Sequence, residues 1–252
     1  MSQDKSNLKF DNLNVQIRDS VRDFAEKLMT ALGDSLQSIT VVGSSLTDDF
    51  APAYSDINTV IVLGEQKLTS LNAIAAMARP MSRKRISPPL LMTPSYIERS
   101  LDVFGVEFLD FQLTHQTVLG DDPFTTRAFD KKDVRLQCER ELKAMLIRLR
   151  QGYIAASANK RIVRDILIST ARGLAPLLRA MLWLKDRDRP PGSSATFAKA
   201  AGEFLIKTDS LATAGRWRRE KIRLSETEMQ SAFESIYATI ERLADIVDEL
   251  EV

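Results

Sequence analysis

Three short segments constrain the fold of this chain more than any other feature. Val41-Val42-Gly43-Ser44-Ser45 is followed about ten residues later by Ser55-Asp56-Ile57-Asn58, which runs into Val60-Ile61-Val62-Leu63. The first reads as a β-branched strand ending in a turn of small residues. The last is a near-continuous apolar run, as in a strand buried on both faces. Residues i and i+2 of a strand face the same side, so Asp56 and Asn58 form a pair on one surface. A glycine turn lets a backbone approach a ligand closely, and N–H groups at a helix start point at any anion placed there. Gly43, Ser44 and Ser45 therefore read as a phosphate-binding turn. The bland reading remains open for each part alone: a structural Gly-Ser-Ser turn, an Asp capping a turn, and an Asn opening a strand.

Asp56 and Asn58 also read as metal ligands. Two oxygen ligands on one strand face can share Mg²⁺ ions, one ion activating an attacking hydroxyl and one holding a triphosphate. Mg²⁺ is a hard cation that prefers carboxylates. Asn58 supplies only a neutral amide oxygen and removes one unit of charge.

Along the chain, residues 13–32 place apolar side chains at helical spacing, and Gly33 closes the run. Strands are expected at 38–42, 57–63, 90–92 and 106–112, and the first turns of a helix at 44–49. A helix is expected over 68–78, ended by Arg79-Pro80. Thr93 and Pro94 read as cap and first residue of another. Beyond residue 128 the texture becomes long, charged and helical. Helices are expected at 131–157, 162–184, 195–206 and 226–251, and four helices with short joins predict an antiparallel bundle. The expectation is an α+β chain: a small mixed β-sheet with flanking helices in 1–128, then a helical bundle in 129–252.

The arrangement of strand, Gly-Ser, Ser-Asp-Ile-Asn and apolar strand resembles the nucleotidyltransferase fold superfamily, which includes kanamycin nucleotidyltransferase and polymerase-β-like enzymes. The similarity extends in outline to a bacterial subgroup with a helical C-terminal half. The family pattern is Gly-Ser, then Asp-x-Asp or Asp-x-Glu, then a third acid on a later strand. Gly43, Ser44 and Asp56 match it, and Asn58 departs from it. The resemblance implies that 101–111 bears the third acid. Glu107 is favoured over Asp110, because an acid between Val106 and Phe108 would need a partner. It also implies Mg²⁺ as cofactor, held by Asp56, Asn58 and Glu107, and a nucleoside triphosphate as partner. Asp56 and Glu107 would be the catalytic pair. Asp48 and Asp49 could compensate for Asn58 if their loop folded inward. His115 reads as structural, with a general base as the alternative.

Three functions stay open. One is Mg²⁺-dependent transfer of a nucleoside monophosphate to a hydroxyl. The second is a nucleotide-binding module whose chemistry Asn58 has abolished. The third is an interaction protein that keeps the first domain as scaffold. Residues 1–128 carry 12 basic and 16 acidic side chains, and the remainder 23 and 18. Arg140, Lys143, Arg148, Arg150, Arg161, Arg164, Arg216, Arg218, Arg219, Lys221 and Arg223 could hold a triphosphate or an RNA end, and Trp217 could stack on a base. Nucleic acid is not the favoured partner, since the formal net charge is only +1. The lone Cys138 and lone His115 exclude disulfide and histidine-rich metal frameworks. With a polar N-terminus and no run of about 18 apolar residues, the chain reads as cytoplasmic, with no membrane partner.

Overall fold

A computed structural model describes residues 8–11, 13–157, 159–217 and 224–252. The chain divides into two compact units. The first comprises Met1–Leu101 and Phe111–Ala128, and the second Asp102–Asp110 and Phe129–Val252.

The first unit is built on a four-stranded mixed sheet. β1 (Leu36–Val42) is central, with β2 (Asn58–Leu63) antiparallel on one side and β4 (His115–Leu119) antiparallel on the other. β3 (Leu90–Met92) pairs parallel with β2, giving the order β3-β2-β1-β4. A parallel pair needs a crossover, and α2 (Leu68–Ala75) and α3 (Ala78–Arg83) supply it.

Before the sheet, α1 (Val15–Leu32) begins where the Asn14 side chain accepts the Gln16 N–H. Ile17, Val21, Phe24, Ala25, Leu28 and Met29 form its buried stripe. They share one core with Leu36, Ile39, Val41, Ile57, Ile61, Leu63 and Val118 from the strands. The residues between these in β1 and β2 lie on the opposite sheet face. On that face the buried Thr40 and the Thr117 hydroxyl are hydrogen bonded at 2.9 Å.

Two expectations need correction here. The helix after β2 stops at Ala75, and Pro80 then sits in the first turn of α3, where its missing N–H costs nothing. The segment 106–112 is a helix, α5 (Gly105–Leu113), and not a strand. Phe104, Val106 and Phe108 alternate as in a strand. The helical spacings prevail: the Phe108 N–H donates to the Phe104 carbonyl at 2.9 Å, and Val106 and Leu109 are both buried. The short α4 (Pro94–Glu98) is capped by Thr93, whose side chain accepts the Tyr96 N–H.

In the second unit, α6 (Lys131–Ala156), α7 (Lys160–Leu184), α8 (Ser193–Phe204), α9 (Asp209–Trp217) and α10 (Glu226–Asp248) pack around one core. Asp130, Asn159 and Ser225 cap α6, α7 and α10, and Ser225 forms a capping box with Glu228. The short α9 was not expected. Its Leu211, Ala214 and Trp217, three residues apart, are all buried. α7 is long and apolar enough to cross a bilayer by length and hydropathy, but 61% of its apolar window is buried in the unit. Its Arg179 is buried and paired with Asp110 at 2.5 Å, and also donates to Thr196 Oγ1.

Gly120 ends β4 with φ +75°. A Cβ built there would lie 1.9 Å from the Gln37 carbonyl oxygen on β1. Gly120→Ala is therefore expected to destabilise the chain by more than about 3 kcal/mol, from left-handed strain plus a backbone clash. Urea denaturation checks this, and an unchanged midpoint would refute the close approach of Gly120 to β1.

Candidate nucleotide site

β1 ends at Val42, which stands opposite Asn58 of β2 on one side and His115 of β4 on the other. These three residues form one row across the sheet, on the face away from α1. Strand spacing puts Asn58 and His115 roughly 10 Å apart along that row. Asp56 lies two residues before Asn58, just outside β2.

The chain leaves β1 through Gly43, whose φ is +78°. Its N–H donates to the Thr114 carbonyl at 2.9 Å. A Cβ at Gly43 would meet nothing nearer than Asn58 Nδ2, 3.9 Å away. Glycine is thus required by the backbone angle and not by crowding, and the Asn58 amide lies against the turn. Gly43–Leu46 is one 3-10 turn, shorter than the helix start expected. N–H groups at the start of such a turn lack intrahelical partners. The Ser44 carbonyl accepts the Thr47 N–H and hydroxyl, both at 3.2 Å. Ser44 is half-buried, whereas Ser45 is buried with its hydroxyl unpartnered among the described residues. Ser44 is the more accessible of the two serines.

Asp56 is half-exposed, and Arg85 Nη2 lies 3.6 Å from its carboxylate. The Arg85 backbone carbonyl accepts the Ile57 N–H at 2.7 Å, and Arg85 Nε donates to the Ser55 carbonyl. One arginine therefore fixes both the start of β2 and the carboxylate. Asp48 is exposed and Asp49 is half-buried, with the Asp49 N–H bonded to Thr47 Oγ1.

The structure brings together Gly43, Ser44, Asp56 and Asn58 at one end of the sheet. Glu107 lies on α5 in the second unit, where Gln137 Nε2 donates to its carboxylate at 2.6 Å. Asp110, on the same helix, is engaged by Arg179. The strand carrying a third acid is thus replaced by a helix. The strand that does follow, β4, reads His115-Gln116-Thr117-Val118-Leu119. None of the four strands contains Asp or Glu. In the first unit, among the described residues, no three His, Cys, Asp or Glu side chains cluster to hold an ion. A pair of Mg²⁺ ions needs several carboxylates. The donor set that Asp56 and Asn58 offer, one carboxylate and one amide, does not fit such a pair.

The comparisons with known proteins agree with this architecture. A solved structure of spectinomycin adenyltransferase AAD(9) from Enterococcus faecialis, with ATP and spectinomycin, superimposes with a TM-score of 0.55. The match covers 88% of this chain and 98% of that one, at 10% identity. The chain has the nucleotidyltransferase fold. No protein-family model matches it, and no curated protein sequence matches it significantly.

Several basic residues of the second unit are engaged locally. Arg140 and Arg148 face Glu141, Lys143 faces Glu139 and Asp248, and Arg150 donates to the Tyr237 hydroxyl. Arg164 donates to the Trp217 carbonyl. Trp217 is packed in the core and offers no stacking face to a base. Arg161 and Arg216 are exposed, while Arg218, Arg219, Lys221 and Arg223 lie outside the described residues.

Sequence reasoning left His115 out of the site, and the register of β4 places it in the same row. His115 Nε2 lies 2.7 Å from Asp122 Oδ2. Burial pushes the Asp122 carboxyl up, but hydrogen bonds from His115, Thr125 and the Phe124 N–H, with the imidazole's charge, outweigh it. They hold the carboxyl down at about 2. In an unfolded chain it would titrate near ~3.9. A depressed folded value stabilises the native state above the unfolded pKa, and that stability is lost as pH falls from about 4 to about 2. Wild-type stability should therefore fall more steeply across that interval than that of Asp122→Asn. Urea midpoints measured at pH 2, 3, 4 and 6 check this. Parallel curves would show that the pair does not hold the carboxylate.

Proposed function

We propose that this chain is a nucleotide-binding module of the nucleotidyltransferase fold, one that holds a nucleoside triphosphate without transferring its nucleotidyl group. The observation that carries this reading is the absence of any carboxylate from the four strands of the sheet. Of the two acids beside the row, Asp56, just before β2, lies 3.6 Å from Arg85 Nη2, and Asp122 is bonded to His115. The phosphate turn, in contrast, keeps its features: Gly43 in the left-handed region and Ser44 half-exposed beside it. That the similar adenyltransferase is solved with ATP supports a nucleotide as the partner. A cytoplasmic setting belongs to the same reading.

In this scheme the N–H groups of the turn and the Ser44 hydroxyl bind the polyphosphate. Asn58 offers an amide beside Gly43, where it donates to a phosphate oxygen through Nδ2. Arg85 balances Asp56, so the sheet end does not repel a polyanion as an acid cluster would. Mg²⁺ accompanying the nucleotide would find Asp56 as the carboxylate next to Asn58, and no step of the function depends on it.

Calorimetric titration of the wild type with each nucleoside triphosphate, with and without Mg²⁺, tests the reading alongside a pyrophosphate-release assay. Binding without pyrophosphate release is expected. Gly43→Ala should weaken binding about tenfold, ~1.4 kcal/mol, because the turn must leave its left-handed angle or carry strain. Mg²⁺-dependent pyrophosphate release that disappears in Asp56→Ala would establish the transferase instead. No binding of any nucleotide would leave the first unit as scaffold for an interaction protein.

A further inference from the structure

His115 is the chain's one histidine, and it opens β4. One residue earlier, the Thr114 carbonyl accepts the Gly43 N–H at 2.9 Å. The imidazole is 11% exposed, and its Nε2 meets Asp122 Oδ2 at 2.7 Å. The Phe124 ring packs edge-on against it, with centroids 5.8 Å apart. Asp122 in turn accepts the Thr125 hydroxyl at 2.6 Å and the Phe124 N–H at 2.8 Å. The carboxylate only accepts, so Nε2 carries the proton in the neutral ring and Nδ1 does not. Nδ1 is buried and has no partner among the described residues. The principal anchor of the ring is therefore Asp122, with Thr125 Oγ1 a longer contact at 3.4 Å.

We infer that His115 is a positioning residue for the phosphate turn. It ties the start of β4 to the 122–125 turn, and through the Thr114 carbonyl it holds Gly43 at the angle that presents the following N–H groups to polyphosphate. This rests on the reading that the Gly43 turn takes a nucleoside triphosphate. His115 touches no ligand in this account and acts through the backbone of its neighbour.

The test compares His115→Gln with His115→Asn at pH 8. A Gln side chain carries its amide nitrogen at the same bond count from Cα as Nε2 and can still donate to Asp122. An Asn side chain ends at the position of Nδ1 and cannot reach. Amide exchange at Gly43, followed by NMR without ligand, should accelerate about tenfold in His115→Asn and stay near wild type in His115→Gln. ATP affinity should follow the same order, falling about tenfold in the first variant and little in the second. In the wild type, ring ¹⁵N shifts of the single histidine should report the Nε2–H tautomer. Equal Gly43 exchange in all three proteins overturns the inference, whatever their affinity for ATP. Faster exchange in His115→Asn in a wild type that binds no nucleotide retires the nucleotide reading and keeps the brace. If His115→Asn fails to fold, Asp122→Ala replaces it, since it removes the acceptor and leaves the ring. Gly43 exchange unchanged in that variant likewise overturns the inference.

Discussion

The hydrogen bond from Gly43 to the Thr114 carbonyl is the constraint on which the site depends. β1 is the one strand with a neighbour paired antiparallel on each side. Where it ends, the backbone must leave the sheet without abandoning a buried N–H, since an unmatched amide costs as much as a lost hydrogen bond. Thr114 supplies the acceptor just before β4 begins. The chain can then turn through a positive φ at Gly43 into the 3-10 turn Gly43–Leu46. Asn58, Val42 and His115 stand in line at that exit because strand pairing puts them there.

The charged groups at this sheet end are few and largely matched. A site for two divalent ions needs carboxylates, whose mutual repulsion in the free protein is relieved only by the ions. Next to Asn58 there is one carboxylate, Asp56, half-exposed and beside a guanidinium. The position two residues on is an amide whose nitrogen lies near the phosphate turn. Asp122, the other carboxylate near the row, accepts bonds from His115, Thr125 and Phe124 and has become part of the brace. Its charge is used in folding.

Much of the first unit was legible in the sequence because its signals are local. Gly43 after a β-branched run, Thr93-Pro94 before a helix, and the helical stripe of α1 each identify a backbone state within a few residues. The apolar run after Asn58 is buried as a strand covered on both faces should be. What stayed hidden depends on register. His115 enters the row through its pairing opposite Val42, which no local pattern encodes. α5 was misread because Phe104, Val106 and Phe108 satisfy the strand period while Phe104–Phe108 and Val106–Leu109 satisfy the helical one. The second unit was legible as helices, but α9 is short and rich in small residues, so its stripe of Leu211, Ala214 and Trp217 was weak.

The misread segment also explains where the acids expected at the sheet went. A strand would have offered Glu107 and Asp110 to opposite faces. A helix puts residues three apart on neighbouring positions of one side. Both acids then serve the second unit: Gln137 bonds the Glu107 carboxylate and, through its oxygen, the Val106 N–H, while Arg179 pairs with Asp110. Gln137 thereby satisfies a helix-start amide and an acid with one side chain. Arg179 is 8% exposed and Asp110 13%, so deleting either charge would leave the other buried without its principal counter-charge. A carboxylate bound into such a pair is held by the packing of its own unit. In this helix the Glu107 and Asp110 carboxylates bond to Gln137 and Arg179 of the bundle, beside Val106 and Leu109, which are buried in its core.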